Sequence, residues 1–171
     1  ISWRIRLDNQ KIDRKIAVIF ATDVVGFSTA METDEDQTLK NFRACKNILE
    51  DLFQEHGGRI FNTAGDSVLA EFSSAVSAVI CASEFQKLVQ ERNASTSLPE
   101  NGKMEFRVGL NMGDVIVEGS NLYGDGVNVA ARLEALAQPN GVCLSKSIHD
   151  FVNKKTEFLF DDLGEQKVKN T

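Results

Sequence analysis

The sequence lacks any apolar run close to the roughly 18 residues that a helix needs to cross a bilayer, and no signal-peptide pattern opens it. Basic residues are also in short supply: 19 Lys and Arg stand against 25 Asp and Glu, giving a formal net charge of -6. This balance argues against a broad nucleic-acid surface, because phosphate contacts need clustered Lys and Arg. We therefore expect a cytoplasmic domain with no membrane contact from this segment and no nucleic-acid partner. The negative net charge is still compatible with a small anionic ligand, since metal ions can supply positive charge.

Cysteine is scarce as well. Cys45, Cys81 and Cys143 are far apart and odd in number, so neither a disulfide framework nor a metal-binding spacing emerges. We interpret them as buried thiols in a reducing compartment. The rest of the composition, 42% hydrophobic and 26% charged, is typical of a globular domain, and 171 residues are enough to bury a core.

The ends of the chain indicate a piece of a longer protein. The sequence begins at Ile1 without a methionine and stops at Thr171 just after a charged stretch. We expect further domains in the full-length chain. Within this segment we predict a leader in residues 1–14 and one folded domain in residues 15–171.

Hydrophobic patterning predicts strands and helices in alternation. The apolar run 16–20 predicts a strand buried on both faces, followed by a turn at 22–28. Helices are predicted at about 36–55, 75–92, 126–137 and 146–153. Further strands are predicted at 59–63, 67–72, 104–110 and, after an interruption at 112–114, at 115–118, 142–145 and 157–169. This order predicts an α+β sandwich with helices on one face of a mainly antiparallel sheet.

Two aspartates occupy predicted turns beside buried strands. Asp23 follows the first strand, and Asp66 lies in the Gly-Asp tip of a hairpin. Carboxylates at neighbouring strand ends can converge on one point, where their charges repel unless a cation joins them. Oxygen ligands of this kind suit Mg²⁺, which is commonly coordinated by one or two carboxylates together with substrate phosphates. The alternative for each aspartate is a turn residue satisfied by the local backbone.

The turn after Asp23 offers consecutive backbone amides that lead into a helix. Such a turn can cradle an anion. Its residues are Val24, Val25, Gly26, Phe27 and Ser28.

A third element combines an amide with a guanidinium group. Asn128 and Arg132 are four residues apart in the helix that begins near Gly126, so they lie on one side of that helix. Together they can hold a ribose oxygen and a phosphate that gains charge in a transition state. The alternative is a helix cap and a solvated arginine.

Four linked blocks of the sequence resemble class III adenylate and guanylate cyclase catalytic domains. They are IFATDVVGFST (19–29), HGGRIFNTAGDSVLAEF (56–72), FRVGLNMGDVIVEG (106–119) and NLYGDGVNVAARLEALAQPNGVCLS (121–145), in the family's order and spacing. The resemblance covers residues 14–169 and implies a ferredoxin-like sandwich, related to polymerase palm domains. It also implies a head-to-tail homodimer whose active sites lie at the subunit interface.

The same resemblance implies roles for individual residues. Asp23 and Asp66 match the two metal-binding aspartates, which hold two Mg²⁺ or Mn²⁺ ions per site, and the carbonyl of Val24 matches a backbone metal ligand. Asn128 and Arg132 match the transition-state pair, which the family supplies from the opposite subunit. Lys169 stands where the family has a triphosphate-binding lysine. The implied reaction closes a nucleoside triphosphate into a 3′,5′-cyclic monophosphate and releases pyrophosphate, for intracellular signalling.

The positions that select the base depart from the family's patterns. Adenylate cyclases have a lysine four residues before the hairpin aspartate and an aspartate or threonine three residues before the YG glycine. Guanylate cyclases have a glutamate and typically a cysteine there, whereas this chain has Asn62 and Asn121. Each amide offers a donor and an acceptor, so the base stays open; ATP, giving cAMP, is favoured by analogy with family members of this shape. The alternatives are a cyclase for GTP or a pyrimidine triphosphate, and a catalytically silent nucleotide-binding regulatory module.

Overall fold

A computed structural model describes residues 2–5, 12–95 and 97–164, and these residues contain six strands and five α-helices. The strands are β1 (Arg14–Val24), β2 (Gly58–Ala64), β3 (Ser67–Phe72), β4 (Phe106–Glu118), β5 (Asn121–Tyr123) and β6 (Val142–Leu144). The helices are α1 (Phe27–Thr33), α2 (Glu35–His56), α3 (Ala75–Asn93), α4 (Asp125–Leu136) and α5 (Lys146–Val152). Across the described ranges, none of the helices combines the length and the apolar character that a membrane span requires.

The strands form one curled sheet in the order β2-β3-β1-β4-β5. Each neighbouring pair along this path is antiparallel, and β6 adds a single parallel pairing to β4. The outer strands β2 and β5 approach each other because the sheet curls. The predicted α+β class with a mainly antiparallel sheet is confirmed.

Strand β1 separates two cores. Phe20 and its even-numbered neighbours face the larger core, which includes residues of α2, α3 and α5. Ile19 and its odd-numbered neighbours face a smaller core with α4. The strand is therefore buried on both faces, as its unbroken apolar run predicts. The predicted packing of helices on one face holds for α2, α3 and α5, and α4 lies on the opposite face.

Several predicted boundaries differ from the structure because strand pairing extends them. The sequence predicts a turn at 22–28, but β1 continues to Val24 since its residues pair with β4 along its whole length. The predicted interruption at 112–114 is wrong, because β4 continues there with Gly113 opposite Ala17. The predicted strand at 157–169 is wrong over 157–164, which contain no strand, and its remainder lies outside the described residues.

Helix α4 packs closely on β4 because glycines remove the side chains between the two elements. A Cβ on Gly109 would lie 2.3 Å from the backbone oxygen of Ala130 and 2.3 Å from the nitrogen of Glu134. A Cβ on Gly126 would lie 2.6 Å from the backbone oxygen of Asp114. The contact fixes the position of α4 and directs its buried side toward the sheet.

The three cysteines are buried and free, as predicted. Burial raises the pKa of each thiol, and raises that of Cys81 to about 12 with help from the nearby charges of Glu84 and Glu55. They therefore serve as small apolar core residues. The reducing compartment stays a prediction, as does the division into a leader and a domain at residues 14 and 15.

Candidate active site

The hairpin tip between β2 and β3 is attached to the end of β1. Asp66 lies in this tip, as predicted, beside Gly65 at φ 58°. Its Oδ2 accepts a 2.8 Å hydrogen bond from the backbone amide of Val24. Asp23 precedes Val24 and lies within β1, so the structure brings the two aspartates together at one end of the sheet.

Asp23 faces an arginine across the sheet. Arg107 stands directly opposite Asp23 in the β1–β4 pairing. Its guanidinium contacts both carboxylate oxygens, with Nη2 3.3 Å from Oδ2 and Nε 3.4 Å from Oδ1. This two-pronged contact orients the carboxylate and offsets its charge.

A third carboxylate, that of Glu134 in α4, completes the cluster and is 7% exposed. Burial raises the pKa of Glu134 to about 8; a hydrogen bond with Asp23 and the charges of Asp23 and Asp66 act in the same direction, and Arg107 opposes them. Arg107 contacts the carboxylate of Asp23, and its charge acts to lower the pKa of Glu134. With a pKa of about 8, Glu134 is mostly protonated at neutral pH, so the charge that a divalent cation would offset is that of Asp23 and Asp66. Two carboxylates at one end of the sheet are oxygen ligands of the kind that suits a divalent metal ion.

The first two amides of the predicted anion-binding turn are already engaged. That of Val24 donates to Asp66, and that of Val25 donates to the carbonyl of Glu105 at 2.8 Å. These bonds hold the start of the turn against the hairpin and against the residue before β4. Both amides thus have a structural role in this conformation.

The rest of the turn presents amides at the start of a helix. Gly26 adopts the left-handed conformation at φ 66°, which favours glycine, and α1 begins at Phe27. The amides of Phe27 and Ser28 belong to the first turn of α1, where a helix provides no acceptor of its own. They are the members of the predicted turn best placed to meet an anion.

Asn128 and Arg132 lie on the opposite side of α4 from Glu134. Val127, Ala130 and Glu134 are buried against the sheet, whereas Asn128 is exposed and Arg132 is half-buried. The side of α4 that faces Asp23 therefore carries Glu134. The predicted transition-state pair therefore lies away from the side of α4 that packs on the sheet.

Asn62 lies on β2 just after a β-bulge. Ile60 pairs with Ala70 and Asn62 pairs with Leu69, so that Phe61 is the extra residue. Without the bulge, Asn62 would pair with the residue that precedes Leu69 in β3, and its side chain would lie on the other face of the sheet. The bulge thus places the exposed Asn62 on the same face as Leu69, which packs on the smaller core.

Asn121 is the first residue of β5, and its side chain forms hydrogen bonds within that strand. Its Nδ2 donates to the hydroxyl of Tyr123 at 3.0 Å, and its Oδ1 accepts from the amide of Leu122 at 2.8 Å. Asn62 and Asn121 consequently lie on the two outer strands that the curl brings together. Lys169 lies outside the described residues, and its role stays a prediction.

Sequence reasoning missed Arg107 and Glu134. A signal for Arg107 exists, because it is a charged residue between the apolar Phe106 and Val108 of a strand. Glu134 follows the buried Ala130 by four residues, which places it on the buried side of α4. Neither signal predicts that the two side chains contact Asp23.

The chain matches the sequence model of the adenylate and guanylate cyclase catalytic domain over residues 8–171. It is 48% identical over 162 residues to putative adenylate cyclase 3 of Rhizobium meliloti (strain 1021), covering 94% of this chain and 27% of that protein. It is 32% identical over 136 residues to an adenylate cyclase of Streptomyces coelicolor, covering 79% and 33%. The chain thus spans about a quarter to a third of the length of these relatives.

The fold is also similar to solved structures. A crystal structure described as an adenylate/guanylate cyclase/hydrolase from Silicibacter pomeroyi matches with a TM-score of 0.85 at 36% identity. The match covers 94% of this chain and 93% of that chain. The sequence match and the structural match therefore both cover nearly the whole of this chain.

Proposed function

The chain belongs to the family of adenylate and guanylate cyclase catalytic domains, and we propose that it converts ATP to 3′,5′-cyclic AMP and pyrophosphate. The observation that carries this proposal is the pair of carboxylates of Asp23 and Asp66 at one end of the sheet, which suits a divalent metal centre. ATP is favoured because the relatives with the quoted identities are named adenylate cyclases. We further propose that the domain acts in the cytoplasm as part of a longer signalling protein.

Divalent metal ions are the general cofactors of this family. We assign their ligands in this chain to Asp23, Asp66 and the backbone carbonyl of Val24, and we propose two Mg²⁺ or Mn²⁺ ions per site. When bound, the ions lower the pKa of the ribose 3′-hydroxyl and offset the charge of the triphosphate. Arg107 holds the carboxylate of Asp23 in place through its two contacts.

The remaining groups position the substrate and stabilise charge. The amides of Phe27 and Ser28 donate to phosphate oxygens at the start of α1, and Lys169 binds the triphosphate. The ribose 3′-oxygen attacks the α-phosphorus in line, its proton passes to water, and pyrophosphate leaves. Asn128 orients the ribose, and Arg132 donates to the phosphoryl oxygens that gain charge. Positioning and charge stabilisation carry the reaction, so the chain needs no dedicated base.

Catalytic domains of this family act on nucleotides and are typically dimeric. We propose a head-to-tail homodimer with two equivalent composite sites. The support is the orientation of α4, whose Asn128 and Arg132 point away from the buried side that carries Glu134. A two-fold axis would bring each pair to the partner's aspartates.

A second candidate is a cyclase for another base, and the two amides favour it. Asn62 stands where typical adenylate cyclases have a lysine, and Asn121 where they have an aspartate or threonine. Either amide can rotate to present a donor or an acceptor. A third candidate, a silent regulatory module, is disfavoured because Asp23 and Asp66 are intact and meet at one end of the sheet.

Incubation with each of the four nucleoside triphosphates and Mg²⁺ or Mn²⁺, with products resolved by mass, tests these candidates together. We expect 3′,5′-cyclic AMP as the main product, and none when a chelator removes the metal. A cyclic product from another triphosphate would reassign the substrate. No cyclic product from any triphosphate, at protein concentrations that maintain the dimer, would favour the silent module.

A further inference from the structure

Arg59 connects the two outer strands of the curled sheet. It lies on β2, and its Nη1 donates a 2.7 Å hydrogen bond to the backbone carbonyl of Ser120, in the turn between β4 and β5. Its Nη2 donates a 2.9 Å hydrogen bond to Oε1 of Glu71 on β3. One guanidinium group thus holds the β4–β5 turn against β2.

Glu71 gives Arg59 a fixed support. Its second oxygen, Oε2, lies 2.6 Å from Nζ of Lys15 on β1. Burial acts to raise the pKa of Glu71, but the hydrogen bonds and charges of Lys15 and Arg59 outweigh it and lower that pKa. The side chain is mostly buried, so both ion pairs are better shielded than pairs in open solvent. The network therefore links β1, β3, β2 and the β4–β5 turn.

The connection lies beside both proposed base-selecting residues. Asn121 directly follows Ser120, and Asn62 comes three residues after Arg59. In the described sheet, β2 and β5 are the two ends of the strand order and share no strand pairing. The Arg59–Ser120 hydrogen bond therefore restrains the separation between β2 and the β4–β5 turn, which no ladder of backbone hydrogen bonds in the described sheet maintains.

The bulge at Phe61 makes this restraint important for Asn62. A bulge interrupts the pairing of its strand and bends it, so the β2–β3 ladder restrains the position of Asn62 less than regular pairing would. Hydrogen bonds to the edge of a base weaken steeply when distance or angle departs from the preferred range. A change in the separation of Asn62 and Asn121 would therefore alter which base both can bind at once.

We propose that Arg59 is a positioning residue for base selection, which sets the separation between Asn62 and Asn121 by tying β2 to the β4–β5 turn. This inference rests on the proposed function, because Asn62 and Asn121 meet a base only there. Arg59 does not touch the reacting atoms, so its substitution affects the choice of base more than the rate of the chemical step.

The test compares Arg59→Ala with Lys15→Ala in the purified homodimer. For each variant, kcat and KM are measured with ATP and with GTP, and folding is checked by circular dichroism and thermal melting. Arg59→Ala should reduce the ratio of the two kcat/KM values about tenfold, mainly through a higher KM for the preferred substrate. Lys15→Ala removes the other partner of Glu71 but keeps the Arg59–Ser120 hydrogen bond, so it should keep the wild-type ratio.

A conservative variant distinguishes positioning from simple loss of structure. Lysine is a point charge that can reach one of the two acceptors of Arg59, so Arg59→Lys should recover part of the discrimination. It also serves as the measured variant if Arg59→Ala does not fold. A folded Arg59→Ala dimer with wild-type discrimination would overturn the inference. An equal loss for both triphosphates, or an equal loss of discrimination in Lys15→Ala, would overturn it as well.

Failure of the proposed function would be recognised separately. If the wild-type dimer forms no cyclic product, equilibrium binding of ATP and GTP to wild type and Arg59→Ala replaces the kinetic ratio. A changed preference in the variant would still support Arg59 as the positioning residue of a nucleotide site. An unchanged preference would overturn the inference along with the cyclase assignment.

Discussion

Two regions of the domain differ in how firmly they are held. One is the end of the sheet proposed to bind metal, formed by Asp23, Asp66, Arg107 and Glu134 and called the metal end. The other is the proposed base-selecting edge, formed by Asn62 and Asn121. At the metal end, side-chain contacts join β1, β4, α4 and the hairpin tip. At the edge, Asn62 is exposed, and Asn121 bonds to residues one and two positions further along.

This difference indicates where the chain can change without losing activity. At the metal end Arg107 offsets the charge of Asp23, and Glu134 is hydrogen-bonded to Asp23, so a substitution of one of these residues disturbs the others. A substitution at the edge changes a local hydrogen-bonding pattern and leaves the metal end intact. We therefore expect all-or-none effects at the metal end and graded effects at the edge.

The largest effect is expected from Asp23→Asn or Asp66→Asn. Each change removes a proposed charged metal ligand and keeps the size of the side chain, so turnover should fall by at least about 10³-fold with the fold intact. Turnover with Mg²⁺ and with Mn²⁺, together with thermal melting, checks this. Near-wild-type activity in either folded variant would remove the aspartate concerned from the metal centre.

Mixing two inactive variants should restore activity. In a dimer of Asp23→Asn and Arg132→Ala chains, one composite site carries both changes and the other carries neither. With complete exchange of equal amounts, half of the dimers are mixed, so roughly a quarter of the wild-type activity should return. No recovery despite proven subunit exchange would mean that each site is built within one chain and that the metal end needs no partner.

Arg107→Lys should have an intermediate effect. Lysine keeps the positive charge beside Asp23 but cannot contact both carboxylate oxygens in the same way. Loss of such a partner to a metal ligand typically costs about 10–100-fold in metal affinity or activity. Activity measured against metal concentration should show a weaker apparent affinity. Lys15→Ala, which removes an ion pair away from the metal end, is the control and should leave that affinity unchanged.

The smallest effect is expected at the edge. Asn62→Lys combined with Asn121→Asp should raise selectivity for ATP over the other triphosphates by about tenfold, because a charged pair penalises the wrong base more strongly. The ratio of kcat/KM values measures this, and kcat for ATP should change little. If the wild type is already highly selective for ATP and the double variant is no better, the two amides recognise adenine well.

Much of the fold follows from local patterns in the sequence. Asp66 lies at the tip of a hairpin because Gly65 allows the tight turn, and α2 ends where Gly57 adopts a left-handed conformation. The placement of Asn128 and Arg132 on one side of α4 follows from helical periodicity alone. These features depend on residues a few positions apart, so they can be predicted without tertiary contacts.

Glycines in β4 show where local reasoning fails. Gly113 predicts an interruption of the strand, yet the strand continues because it pairs with β1 on that stretch. A Cβ on Gly113 would lie 3.1 Å from Nδ2 of Asn111 in the same strand, and in ordinary contact, at 3.5 Å, with Cα of Gly126 in α4. Close packing between distant segments, which no local pattern contains, explains Gly109 instead, because a Cβ there would lie 2.3 Å from the backbone oxygen of Ala130 in α4.

The sequence by itself therefore determined the family, the α+β class and the candidate ligands Asp23 and Asp66, because turn chemistry, periodicity and linked motifs are local properties. Tertiary structure alone decided that Arg107 and Glu134 contact Asp23 and that the bulge at Phe61 sets the face of Asn62. It also decided that the side of α4 packed on the sheet carries Glu134, whereas Asn128 lies on the exposed side. The physical reason is the same in each case. Strand register and helix packing bring together residues that are far apart in the chain. Burial then strengthens the electrostatic interactions between the charged groups that meet there.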